Sequence, residues 1–186
     1  VPVTIVGVSD ETASNVTTWA SEPFHAGVTR WVEKAAADAG VTLTGETEQP
    51  HIRPWSSAIR FGAEGGDLWF KVNAPGTRHE GDLVAVLADI EPGLVPPVLA
   101  VDAERGWSLT RDAGPVMRMV APPEELWDSW AGVLVRYADA QIRLADQSER
   151  VLATGLREVS PTTLPSQIRA LADELGAQPP EEGGLT

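Results

Sequence analysis

The sequence predicts an α+β fold: a five-stranded antiparallel sheet with one helix inserted in it, a helical extension before it and helices after it. Three changes of period carry this prediction. Apolar residues recur at helical spacing up to about residue 35, alternate with polar ones from Val41 to Val72, and return to helical spacing beyond Pro122. Between the last two regimes lie one amphipathic stretch and two more short alternating runs, giving the order three strands, helix, two strands.

The elements follow in order. Val1 to Val8 alternates weakly and reads as a short strand or an arm, and residues 10–20 are polar and carry no assigned element. Phe24, Val28, Trp31, Val32 and Ala35 share one helix face, with Ser21 as N-cap, Pro23 in the first turn and Gly40 as the stop. Val41 to Ile52, Ser57 to Phe61 and Asp67 to Val72 read as a meander of three strands, the second turn being Ala63-Glu64-Gly65-Gly66, where paired glycines accept positive φ. Thr77-Arg78-His79-Glu80 has capping-box spacing and opens a helix over Glu80 to Ile90. Val98 to Val101 and Gly106 to Thr110 form two further strands around the turn 102–105. A long helix takes Pro122 and Pro123 in its first turn, with Leu126, Trp130, Val133, Leu134, Tyr137, Gln141 and Leu144 on one stripe, and another spans Thr163 to Leu175. Residues 177–186 are rich in Pro, Glu and Gly and read as a linker or frayed end. The organisation is thus 1–40, arm and helix; 41–114, sheet lobe; 115–186, the start of a helical lobe.

Composition narrows the function. The 186 residues include 42% hydrophobic side chains, enough for a real core, and carry a formal charge of -13. Nonspecific nucleic-acid binding needs a basic face, so no nucleic-acid partner is expected. The absence of cysteine rules out disulfides and thiolate metal sites, and His25, His51 and His79 lack metal-ligand spacing. No apolar run approaches the roughly 20 residues of a membrane helix. No signal segment opens the chain, and the expectation is a soluble, cytoplasmic protein without a membrane partner.

The residue with most chemical content is Lys71, in the strand Trp69-Phe70-Lys71-Val72, with Glu80 at the start of the next helix. A strand lysine tethered by a helix glutamate is how protein-kinase-like enzymes hold the phosphates of ATP: the ammonium neutralises phosphate charge and the carboxylate fixes its rotamer. Two bland alternatives compete: a strand lysine that snorkels into solvent, and a Glu80 that caps its own helix. Two other segments suit a nucleotide. The turn Arg53-Pro54-Trp55-Ser56-Ser57 stands where a glycine-rich phosphate loop stands in eukaryotic kinases, but it has no glycine and fits an ordinary hairpin turn equally well. Leu109-Thr110-Arg111-Asp112-Ala113-Gly114 joins sheet to helices, either as a connector whose backbone groups face an adenine edge or as a plain linker.

Taken together, these segments resemble the actinobacterial branch of the aminoglycoside phosphotransferase-like family, within the protein-kinase-like superfamily. The resemblance runs through Arg53 to Ser57, Leu68 to Gly76, His79-Glu80, Leu94 to Asp102, Gly106 to Gly114, Tyr137 to Gln141 and Leu164 to Gln167, in order over most of 17–175. It implies a protein-kinase-like N-terminal lobe over 41–114, with the first helices of a truncated C-terminal lobe behind it. It implies ATP as cofactor: Lys71 on the phosphates, Glu80 orienting it, Ser56 and Ser57 beside them, Thr110 C=O and Asp112 N–H on the adenine edge, Leu109 behind the base, and Ile52, Ile59 and Phe70 or its neighbours lining its slot. The family's H-x-D-x-x-x-x-N loop and magnesium-binding aspartate are absent, and His79-Glu80-Gly81-Asp82 has the wrong spacing to replace them. The magnesium ligands are therefore expected beyond residue 186, and no catalytic residue is assigned within the chain.

The expected function is the ATP-binding portion of a phosphotransferase that moves the γ-phosphoryl group to a hydroxyl of a sugar, aminoglycoside or amino alcohol. The expected partners are ATP, a small-molecule acceptor and the missing C-terminal lobe. The alternative is a noncatalytic, pseudokinase-like module that binds a nucleotide or a partner. A cut lobe also predicts an exposed apolar face along 126–144.

Overall fold

The computed structural model describes residues 8–176. They fall into two compact units, 8–156 and 157–176. The larger holds five strands: β1 (Leu43–Arg53), β2 (Ser56–Ala63), β3 (Leu68–Asn73), β4 (Val98–Asp102) and β5 (Trp107–Arg111). They form one antiparallel sheet in the order β1-β2-β3-β5-β4. Around it lie α1 (Val8–Trp19), α2 (Glu22–Asp38), α3 (Glu80–Ile90), α4 (Met117–Val120), α5 (Leu126–Ala145) and α6 (Ser148–Ala153). The smaller unit contains α7 (Leu164–Gly176).

Helix α2 is capped as its sequence demands. The Ser21 hydroxyl accepts the Phe24 N–H, and Gly40 takes φ +67 just beyond the end. Its apolar stripe covers one face of the sheet. Val28 and Val32 are fully buried there with Ile59, Phe61, Leu68, Phe70, Val72 and Leu109. Phe70 is the hub, meeting Trp107, Trp31 and Phe24 edge-on at centroid distances of 5.3, 5.9 and 6.3 Å. Each such pair adds about 0.5–1.5 kcal/mol beyond the area it buries. The helix expected as an extension before the sheet lobe thus supplies Val28, Val32, Ala35 and Ala36 to that lobe's core.

Other elements depart from the sequence-based expectation. The polar stretch 10–20 belongs to α1, held by Trp19, which is buried, and by Asn15, whose amide donates to Pro54 C=O at 3.1 Å. Gln49 Nε2 also donates to Trp19 C=O at 3.1 Å, and one large apolar residue with long-range hydrogen bonds does not produce a periodic signal. The arm or strand expected at the N-terminus and the linker expected at 177–186 lie, except for Val8, outside the described residues. The capping box does not form: Thr77 sits in a 3-10 turn (Pro75–Thr77), its hydroxyl donates to Ala74 C=O, and His79 is the N-cap without a side-chain bond. Pro122 and Pro123 precede α5 rather than filling its first turn.

Along α5 only Ala140 is buried. Trp127, Trp130, Leu134, Tyr137 and Ile142 are exposed, so the apolar face expected along 126–144 is present.

Candidate functional site

The strand period sorts the candidate residues onto two faces. Leu68, Phe70 and Val72 of β3 point into the α2 core, and Trp69 and Lys71 point to the other side. In β2, Ser57, Ile59 and Phe61 are buried, whereas Ser56, Ala58 and Arg60 are half-buried on the Lys71 face. Registers set the neighbours: Lys71 lies between Ala58 and Ser108, Trp69 between Arg60 and Thr110, and Asn73 beside Ser56.

Glu80 reaches Lys71 through a close approach of backbones. The next residue, Gly81, is the one buried residue of α3. A Cβ there would lie 3.0 Å from Val101 Cγ1 and 3.4 Å from Ser108 Cβ. Since Ser108 is the register partner of Lys71, seating Gly81 on it brings Glu80 beside the lysine. Lys71 Nζ and Glu80 Oε1 form an ion pair. Of the two competing fates, snorkelling and helix capping, neither is adopted. The side chains remain 36% and 38% exposed, so the pair contributes only about 0–1 kcal/mol to stability. A weak pair built by a specific backbone approach is better explained by positioning than by stability.

The remaining candidates divide. Ser56 and Thr110 share the Lys71 face. Ser57 does not: it is 1% exposed, accepts from Gln49 Nε2 at 2.9 Å and donates to His51 C=O at 3.2 Å. Leu109, Ile59 and Phe70 are buried in the α2 core, on the opposite side of the sheet from Lys71. Adjacent strand residues cannot share a face, so a slot lined by both Phe70 and Lys71 is sterically excluded. The Asp112 N–H, expected on an adenine edge, donates to Asp67 C=O at 2.9 Å. The neighbouring Arg111 N–H likewise goes to Pro97 C=O. Ile52 is half-buried on the edge strand β1 and packs against the core.

Two residues of this face were not singled out from sequence, Trp69 being covered only as a neighbour of Phe70. Trp69 lies two positions before Lys71, and its indole N–H donates to Asp112 Oδ1 at 2.9 Å. Its i−2 spacing from Lys71 was the available signal. Asn73, two positions after Lys71, is buried, and its Nδ2 has no hydrogen-bond partner. An unsatisfied buried donor costs about 1–3 kcal/mol. Beyond Trp69 the face is closed by charge: Arg60 donates to Asp67 at 2.7 Å and Glu48 at 2.8 Å, and these bonds, Asp67 first, raise its pKa above the usual arginine value.

A cavity of about 460 Å³ opens elsewhere, between α2 and β4, lined by Trp31, Lys34, Asp38, Leu99 and Val101. None of the candidate residues borders it. Among the described residues no group of three His, Cys, Asp or Glu side chains could hold a metal ion, and no helix is long and apolar enough to cross a membrane. No family model, no curated protein and no solved structure matches this chain.

Proposed function

We propose that the Lys71 face is the ATP-gripping surface of a small-molecule phosphotransferase with a protein-kinase-like N-terminal lobe. The observation that carries this is the Lys71–Glu80 ion pair, seated by Gly81 on the face of the sheet that the α2 core leaves free. The element order of three strands, a helix and two strands in a β1-β2-β3-β5-β4 sheet supports it. The donor set suits a polyphosphate: an ammonium at Lys71, a hydroxyl at Ser56 and the unpartnered amide of Asn73 lie along one end of the face. Trp69, anchored by Asp112, offers an aromatic surface for the base at the other end, and Thr110 lies beside it.

In this assignment Lys71 neutralises phosphate charge, Glu80 holds its rotamer, and Asp112 acts through its carboxylate on Trp69 rather than through its amide. Magnesium, when bound, neutralises charge between the β- and γ-phosphates. The acceptor is a hydroxyl-bearing sugar, aminoglycoside or amino alcohol.

The test is calorimetric titration of ATP and magnesium into the full-length protein and its variants. Lys71→Ala weakens binding at least about tenfold, the loss of one charge-assisted phosphate contact. Ser57→Ala, on the wrong face, leaves affinity within about twofold. Equal affinity of Lys71→Ala and the parent would remove the face from nucleotide binding.

A further inference from the structure

Helix α3 is lightly held by its own packing. Leu83, Val84 and Leu87 are only half-buried, and Gly81 is its single buried residue. Yet α3 carries Glu80, whose usefulness depends on where the helix sits. A second set of contacts bears on it. Arg136 of α5 donates to Gly93 C=O at 3.0 Å, Arg143 of α5 pairs with Glu91 at 2.9 Å, and Arg150 of α6 pairs with Asp89 at 2.6 Å. The three arginines are spaced by seven residues, and their partners step back by two, so the contacts form an antiparallel ladder over Asp89 at the end of α3 and over Glu91 and Gly93 just beyond it. At the other end, Gly155, just past α6, packs against the N-cap: a Cβ on it would lie 3.6 Å from His79 Cβ. The arm of α5 and α6 therefore touches α3 at both ends.

We propose that Arg136, Arg143 and Arg150 are positioning residues that clamp α3 in the place from which Glu80 meets Lys71. The consequence for nucleotide binding rests on the function proposed above; the clamp itself does not. Each contact is solvent-exposed and individually weak, with Arg143 and Arg150 at 56% and 49% exposure. Three along the successive helices α5 and α6 bias α3 together, and salt screens them together.

The experiment uses the two lysines of this chain, Lys34 and Lys71. The protein is treated with an amine-acylating reagent in the absence of nucleotide, and the rate at each lysine is read by mass spectrometry. A carboxylate lodged against the Lys71 ammonium shields it, and Lys34, on α2, is the internal clock. In Arg143→Glu/Arg150→Glu, Lys71 acylation rises roughly three- to tenfold over Lys34, as expected for losing two exposed pairs that act together. Adding Glu91→Arg/Asp89→Arg restores the parental ratio. An unchanged ratio in the reversed variant overturns the clamp, and so does a rise that the swap fails to reverse. A parallel rise at both lysines marks general loosening and counts against the clamp too. ATP affinity is measured on the same proteins: failure of the parent to bind ATP refutes the nucleotide assignment, while the acylation ratio still judges the clamp.

Discussion

Gly106→Ala tests how the site end of the sheet is built. Gly106 precedes β5 with φ +66, and its C=O accepts the Asn73 N–H at 3.0 Å. An added Cβ would lie 2.9 Å from Asn73 O, 3.1 Å from Arg78 Cβ and 3.4 Å from Arg78 Cα. Two costs add. Left-handed backbone costs a non-glycine residue about 1–2 kcal/mol. Overpacking against groups that must shift costs about 1–3 kcal/mol more, since two of the three contacts are to backbone. The sum is about 2–5 kcal/mol, or a fall in Tm of about 4–20 °C for a chain of this size. Gly65→Ala is the control, because Gly65 has φ +78 but nothing within 4 Å of its Cβ position. It carries the first cost alone, about 1–2 kcal/mol. Urea unfolding of both variants, read from tryptophan fluorescence, isolates the clash as the difference in midpoint at equal slope. Equal midpoints would refute the close packing of the β5 entry against Asn73 and Arg78. Because these two residues flank Lys71 and Glu80, Gly106→Ala should also weaken ATP binding more than Gly65→Ala does.

Gly81→Val lifts α3 from Ser108 and Val101, costing about 1–3 kcal/mol of stability and separating Glu80 from Lys71; parental ATP affinity in this variant would show that the close approach does not matter. Phe70→Ala empties the hub of the aromatic cluster and loses about 3–5 kcal/mol in urea unfolding; a loss below 1 kcal/mol would contradict the packing described. Lys71→Ala, removing one half of a half-exposed pair, changes stability by no more than about 1 kcal/mol, so a large drop in Tm would mean a structural role instead. Trp69→Leu abolishes fluorescence quenching on ATP addition and leaves Tm nearly unchanged; persistence of the full signal would assign the quenching to another tryptophan.

The five strands, α2, α3 and α5 were legible in the sequence because their apolar residues recur with a period of two or of 3.6, although along α5 only Ala140 is buried. Turn chemistry was legible where backbone strain demands it, as at Gly65 and Gly66, both with positive φ. Helix α1 was not legible, because the contacts that hold it are the buried Trp19 and long-range hydrogen bonds from Asn15 to Pro54 C=O and from Gln49 to Trp19 C=O, which leave no periodic pattern. Lys71 and Glu80 stood out as chemical types, and their pairing was the one long-range contact foreseen. Ser57, Leu109, Ile59 and Phe70 were assigned to the same site, although strand alternation alone separates them from Lys71.

Sequence by itself thus determined the element order, the core stripes and the two charges of greatest interest. Tertiary structure decided which face of the sheet α2 would cover. That choice buried Phe70, Leu109 and Ser57 and left Lys71, Trp69 and Thr110 on the open side. Gly81 then let α3 settle on Ser108. The reason is that periodicity fixes which residues share a face but not which neighbour will pack against it. That is settled by long-range contacts between elements, here the Trp31–Phe70–Trp107 cluster on one side and a missing Cβ on the other.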